Sequence, residues 1–108
     1  MIQILWWMIV GHLIADYPLQ TDFIAKGKCP SCSPQFVPWY YVLAAHSATH
    51  GAAVAMATGS TFLGLCETIV HFCIDVAKCE GVANIHVDQA LHVVCKLAWL
   101  GILYWGIV

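Results

Sequence analysis

Residues 61–76 read TFLGLCETIVHFCIDV, and Glu67, His71 and Asp75 recur there at every fourth position of an otherwise apolar run. Side chains four apart on a helix lie on one face, one turn above the other. The stretch therefore reads as a helix with a single polar stripe on an apolar cylinder. Placing an ionisable group at the centre of a bilayer costs at least about 2.5–3.5 kcal/mol, so such groups face a bundle interior and mark function.

The same spacing recurs outward from this stretch. Residues 2–17 carry His12 and Asp16, with Gln20 next in phase if the helix continues. Residues 38–58 carry His46 and His50, and residues 87–108 carry Asp88, His92 and Lys96. Four apolar helices are thus expected, at about 2–17, 38–58, 61–76 and 87–108. Pro18 ends or kinks the first, and Phe36 or Pro38 starts the second, Pro38 as a helix-start proline. Gly59 and Ser60 make a short turn in which Ser60 caps the third. The polar Asn84 and His86 lead into the fourth. The first and third are short for a crossing that takes about 20 residues, so tilt or local thinning of the bilayer is implied. Residues 19–37 form the one long connection, rich in Pro, Ser and Cys.

Composition agrees. Of 108 residues, 61% are hydrophobic and 9% charged, against roughly 25% charged in an ordinary soluble domain. So small a chain lacks the polar surface to cover a core, and it is too apolar to be disordered. Four lysines, no arginine and a formal charge of −2 provide no basic patch, which excludes nucleic acid as a partner. No Lys or Arg precedes residue 26, so the N-terminus does not read as a cleaved signal peptide. The expected fold is all-α: a four-helix transmembrane bundle with a polar His/Asp centre, the lipid bilayer its first partner.

Each polar residue taken alone has a plainer reading. A lone His is a hydrogen-bonded packing residue, Asp88 suits a helix N-terminus, and Asp75 would pair with Lys78 near the surface. A shared spacing on four helices is poorly explained by independent accidents. If the helices alternate in direction, a rise of about 1.5 Å per residue puts Asp16, Asp75 and Asp88 near one end. His12, His71 and His92 then lie about one turn deeper, and His46 deeper again. One cluster forms from His12, Asp16, His46, His50, His71, Asp75, Asp88 and His92.

Imidazoles and carboxylates together suit Zn²⁺, Mn²⁺ or Fe²⁺. Eight groups exceed one tetrahedral site, so either two ions bind or some of the residues play supporting parts. Gln20, Gln89 and Lys78 would orient ligands or water. With a metal-activated water as nucleophile, Asp16, Asp75 and Asp88 are the candidate catalytic carboxylates. Glu67 and Lys96, at matching depth, are expected to pair.

Cys29-Pro-Ser-Cys32 is a single CxxC, open to reading as half of a zinc site, a redox pair or a disulfide, with Cys79 as a further ligand. Cys66, Cys73 and Cys95 read as small buried apolar residues. The aromatics Trp6, Trp7, Trp39, Tyr40, Tyr41, Trp99, Tyr104 and Trp105 fall near helix ends, as an interfacial belt requires. Lys26 and Lys28 follow the first helix and Lys78 the third, which puts both lysine-bearing loops in the cytoplasm and both termini outside.

The segments GHLIADYPLQ (11–20), HSATH (46–50), HFCID (71–75) followed by Lys78, and DQALH (88–92) resemble the motifs of a bacterial and phage membrane-protein family, number 3307 among the domains of unknown function. The resemblance spans about residues 11–99. It implies a helical protein of the bacterial inner membrane with a polar His/Asp centre, similar in style to proteins labelled metal-dependent hydrolases, and it names no substrate. The CPSC insert departs from the usual pattern. Two function classes follow. One is a membrane-embedded metal-binding protein hydrolysing a membrane-near or lipid-linked substrate. The other is a non-enzymatic membrane protein, either a proton or ion conduit or a phage-type protein that forms homo-oligomers.

Overall fold

The computed structural model describes residues 1–31 and 37–108. Its helices are α1 (Ile2–Asp16), α2 (Asp22–Gly27), α3 (Trp39–Thr58), α4 (Thr61–Cys79) and α5 (Ile85–Tyr104), with no strand among the described residues. The long helices pack in a ring, α1 on α3, α3 on α4, α4 on α5 and α5 back on α1, while α2 lies against α3. The molecule is a rod of 44 × 23 × 23 Å.

Local chemistry sets the boundaries. Pro38 occupies the N-cap position of α3, while Phe36, the other expected start, lies outside the described residues. Ser60 Oγ accepts from the Leu63 amide at the head of α4, and Asn84 Oδ1 accepts from the Val87 amide at the head of α5. Gly59 ends α3 with φ of +73°, a left-handed turn that glycine adopts without strain.

α1, α3 and the start of α5 fall within two residues of the expected bounds, and three larger differences stand out. The connection 19–37 contains a helix, α2, whose start is capped by Thr21 Oγ1 accepting from the Ile24 amide. Six residues are too few to show periodicity, which is why composition read them as loop. α4 continues to Cys79 rather than residue 76, so it has 19 residues, about 28 Å by helix rise. α5 ends at Tyr104 rather than running to the C-terminus.

The radial distribution of polarity is inverted. Among the described residues, eleven buried ones are polar or charged, Lys28, Ser47, Glu67 and Lys96 among them, whereas six are hydrophobic. Large apolar side chains such as Trp6, Leu65, Ile69, Val94 and Leu97 are exposed instead. Among the described residues one helix, α5, is long and apolar enough to cross a membrane by length and composition; α1 is apolar but has 15 residues. α4 carries three charges, Glu67, Asp75 and Lys78, on a helix with exposed Phe62, Leu65 and Ile69.

An apolar layer closes one end of the ring. Met8, Val54 and Leu63 are fully buried there, backed by Leu5, Trp99, Leu100 and Leu103. Next to it α3 and α4 make their closest approach. A Cβ on Gly51 would lie 1.9 Å from Thr68 Oγ1 and 2.5 Å from the Gly64 carbonyl oxygen. Glycine at this crossing lets the His-bearing faces of the two helices meet.

Candidate metal centre

All eight residues of the expected ligand set meet in the middle of the ring, His12 and Asp16 from α1, His46 and His50 from α3, His71 and Asp75 from α4, and Asp88 and His92 from α5. Seven of them are buried, and Asp16 is nearly so. His50 and His71 stack with ring centroids 3.6 Å apart, and His71 and His92 with centroids 4.2 Å apart.

The two central carboxylates each gather several imidazoles. Asp16 Oδ1 lies 3.0 Å from His50 Nε2 and 3.4 Å from His46 Nε2, and its Oδ2 lies 3.2 Å from His12 Nε2. Asp75 Oδ2 is 3.5 Å from both His46 Nε2 and His71 Nε2, while Asp75 Oδ1 is 3.5 Å from His92 Nε2. His92 Nε2 is also 3.5 Å from Asp88 Oδ1. Most of these pairs are too long or badly angled for hydrogen bonds. His46 Nε2, both ring nitrogens of His71 and of His92, and Asp88 Oδ1 are buried with no hydrogen-bond partner. Buried polar atoms of native proteins are overwhelmingly paired, so a cluster of exceptions requires an explanation.

Coordination geometry supplies one. Ligand atoms about 2.0–2.1 Å from a tetrahedral ion are separated by about 3.3 Å, close to the spacings above. Asp16, His46, His50 and His71 bring four ligand atoms within mutual reach; Asp75, Asp88 and His92 bring three, as do His12, His71 and His92. Asp75, with one oxygen on each side, joins the first two groups.

Around this centre lie polar groups that orient it. Gln89 Nε2 donates to Asp16 Oδ2 at 3.1 Å and to Asp88 Oδ2 at 3.1 Å, and its Oε1 faces His12 Nε2 at 3.2 Å. Gln20 donates to the Asp16 carbonyl and accepts from Lys28. Lys78 sits half out of the protein, 3.9 Å from Asp88 Oδ2, so the surface pair expected between Asp75 and Lys78 does not form. Lys28 takes that partner instead, with Nζ 2.7 Å from Asp75 Oδ2. From the sequence Lys28 is only a loop charge; its role depends on a contact across 47 positions, for which helix phase has no signal.

One turn deeper, Lys96 Nζ donates to Glu67 Oε1, and Trp99 Nε1 donates to Glu67 Oε2 at 2.6 Å. The expected pair therefore forms, with Trp99 as a third member rather than a belt aromatic. His71 Nδ1 lies 3.6 Å from Glu67 Oε1, linking pair to centre.

Cys29 and Cys79 form a disulfide. A ligand site on Cys29 and Cys32 is thereby excluded for Cys29, and Cys32 lies outside the described residues. Cys66 and Cys95 are half-buried and Cys73 is exposed, rather than buried as composition suggested.

The centre has one polar opening and one apolar flank. A small cavity of about 80 Å³ is lined by Asp16, Gln20, Lys28, Asp75, Lys78, Asp88 and Gln89, among others. On the side, a cleft of about 370 Å³ between α1, α2 and α3 has apolar walls of Leu19, Phe23, Ile24 and Val42, and reaches His46.

The model of the family described as Protein of unknown function (DUF3307) matches residues 4–105. The chain belongs to that family. In this DUF3307 chain the match takes in every residue of the centre. No curated protein and no solved structure matches it.

Proposed function

We propose that this protein is a membrane-embedded metal protein, its four long helices crossing the bilayer around a centre of one or two divalent ions, with hydrolysis of a membrane-near substrate as its chemistry. The observation that carries the metal reading is the group of buried imidazole and carboxylate atoms without hydrogen-bond partners, spaced as ligands of a common ion. Asp16, His46, His50 and His71 suit a closed four-ligand site. Asp75, Asp88 and His92 leave a position open, as catalytic zinc sites do; Mn²⁺ and Fe²⁺ take the same donor types.

The bilayer reading rests on the inverted polarity. Exposed Trp6, Trp7, Tyr104 and Trp105 gather at one end of the rod and exposed Tyr40 and Tyr41 at the other, as the two interfaces favour. The apolar cleft that reaches His46 gives a lipid tail a place against the centre, which favours a lipid-linked substrate. A bacterial inner membrane fits the family resemblance.

A bound divalent ion would polarise an ester and bring the pKa of a water towards 7. Asp88 Oδ1 belongs to the ligand set, so the oxygen that would take that water's proton is Asp88 Oδ2, at the polar opening beside Gln89 and Lys78. Asp16 and Asp75, each in contact with several imidazoles, hold the centre together. A proton or ion conduit fits less well, because the Met8–Val54–Leu63 layer stands across any path beyond Glu67 and Lys96.

Metal analysis of detergent-purified protein tests the reading. At least one ion per chain is expected, with a thermal midpoint that a chelator lowers by mass action. His71→Ala and Asp75→Ala should lose the ion, whereas Cys73→Ser on the outer face should keep it. Protein with well under one ion per chain and no response to chelator would make the centre a hydrogen-bonded polar network.

A further inference from the structure

The polar opening is a place where two ammonium groups converge on three carboxylates. Lys28 is buried, 6% exposed, and its Nζ lies 2.7 Å from both Gln20 Oε1 and Asp75 Oδ2. Lys78 stands across the opening from it, near Asp88. Burying a lysine is costly unless it is well paired, and here each lysine is set against a carboxylate of the centre, Lys28 against Asp75 and Lys78 against Asp88. Once those carboxylates ligate an ion, the two ammonium groups call for a further negative group.

Charge balance gives the sign. Asp16, Asp75 and Asp88 against Lys28 and Lys78 leave one net negative charge, with the imidazoles neutral as ligation requires. One divalent ion turns that into one net positive charge, and two ions into three. Carboxylates shared with a metal are also weaker partners for the lysines, because the ion is the largest local charge.

We infer that the opening is an oxyanion site for a phosphate-type group, held between the open metal position and the ammonium groups of Lys28 and Lys78. This inference rests on the metal reading and names the substrate chemistry that goes with it. A tetrahedral phosphoryl group has several acceptor oxygens on one atom, enough to reach a metal position and two ammoniums together, as metal phosphatase sites use them. The group is borne by a lipid headgroup or is free phosphate; the recognising chemistry is the same.

The test uses full-length protein loaded with Zn²⁺, freed of excess metal and held in nanodiscs. In phosphatidylcholine discs, inorganic phosphate at constant ionic strength is expected to raise the thermal midpoint where chloride does not. Discs containing phosphatidic acid report the lipid-borne form: a rise there with none from inorganic phosphate assigns the site to a headgroup. Lys78→Met, at a half-exposed position that folding tolerates, should keep its zinc and bind the anion about tenfold more weakly, the scale of one charge-assisted contact. Lys28→Met should do the same where it folds. Zinc-loaded protein that responds to neither phosphate nor phosphatidic acid, or a Lys78→Met protein with the full response, overturns the anion site and leaves the metal centre standing. A chain that takes up no metal overturns both.

Discussion

Lys96 of α5 donates to Glu67 of α4 at a level where both side chains are almost wholly buried, and Trp99 holds the second oxygen of the same carboxylate. Removing one partner leaves an unpaired charge in an apolar surround, a loss of about 3–5 kcal/mol for buried pairs. Glu67→Ala and Lys96→Ala should each destabilise strongly, and the double change by clearly less than their sum. Denaturation of the four proteins in one detergent measures the coupling; additive losses would show that the two residues act independently.

The α3–α4 crossing predicts an indirect effect on metal. Gly51→Ala places a methyl group within 2.5 Å of a backbone oxygen that has nowhere to move, so the helices must separate at a cost of about 1–3 kcal/mol. His46 and His50 would then withdraw from His71. A lower thermal midpoint together with lower zinc content is expected, while Gly101→Ala, with open space around it, should lower neither, since alanine is the better helix former. Equal metal content in both variants would detach the crossing from the centre.

The outer surface predicts an insertion effect. Ile69 lies on the exposed face of α4, where a charge in water would cost nothing measurable but a charge in hydrocarbon costs about 2.5–3.5 kcal/mol. Ile69→Arg should therefore reduce the membrane-inserted fraction, scored by carbonate extraction or glycosylation mapping. Unchanged insertion would argue that α4 does not face lipid.

Sidedness is tied to the disulfide. A Cys29–Cys79 bond persists in an oxidising compartment. Of the three loop lysines, Lys28 and Lys78 are engaged by Asp75 and Asp88, so their presence follows from the site as much as from orientation. The end carrying the opening is accordingly expected to face the oxidising side, the reverse of what the lysine count suggests. With Cys32, Cys66, Cys73 and Cys95 replaced, a membrane-impermeant thiol reagent should label Cys29 and Cys79 from outside after reduction and not before. Labelling without reduction, from the cytoplasmic side alone, would restore the lysine-based orientation.

The centre was readable because its eight residues sit on long helices, where a repeat of four maps directly onto one face. His12 with Asp16 and His71 with Asp75 needed no tertiary information beyond a shared interior. Lys28, Cys29 and Trp99 were not readable in their true roles. The first two act from the connection between α1 and α3 against residues some 50 positions away, and Trp99 falls near a helix end where an interfacial aromatic is equally expected. The six-residue α2 carried a signal in Thr21 and Asp22, a cap and an acidic first turn, too slight to outweigh the surrounding Pro, Ser and Cys.

The Met8–Val54–Leu63 layer has an electrical consequence. For a rod that spans a bilayer as proposed, the transmembrane voltage would fall mainly where polarisable matter is scarce, in the apolar part between this layer and the termini. The ionisable half, open towards the loops, would sit near the potential of a single compartment. Moving one elementary charge across the whole membrane involves about 2.3 kcal/mol per 100 mV, yet an ion entering from the loop side would traverse little of that drop. Energising the membrane would then leave occupancy of the centre almost untouched, and the cell's control over it would lie in the ion and proton concentrations on one side.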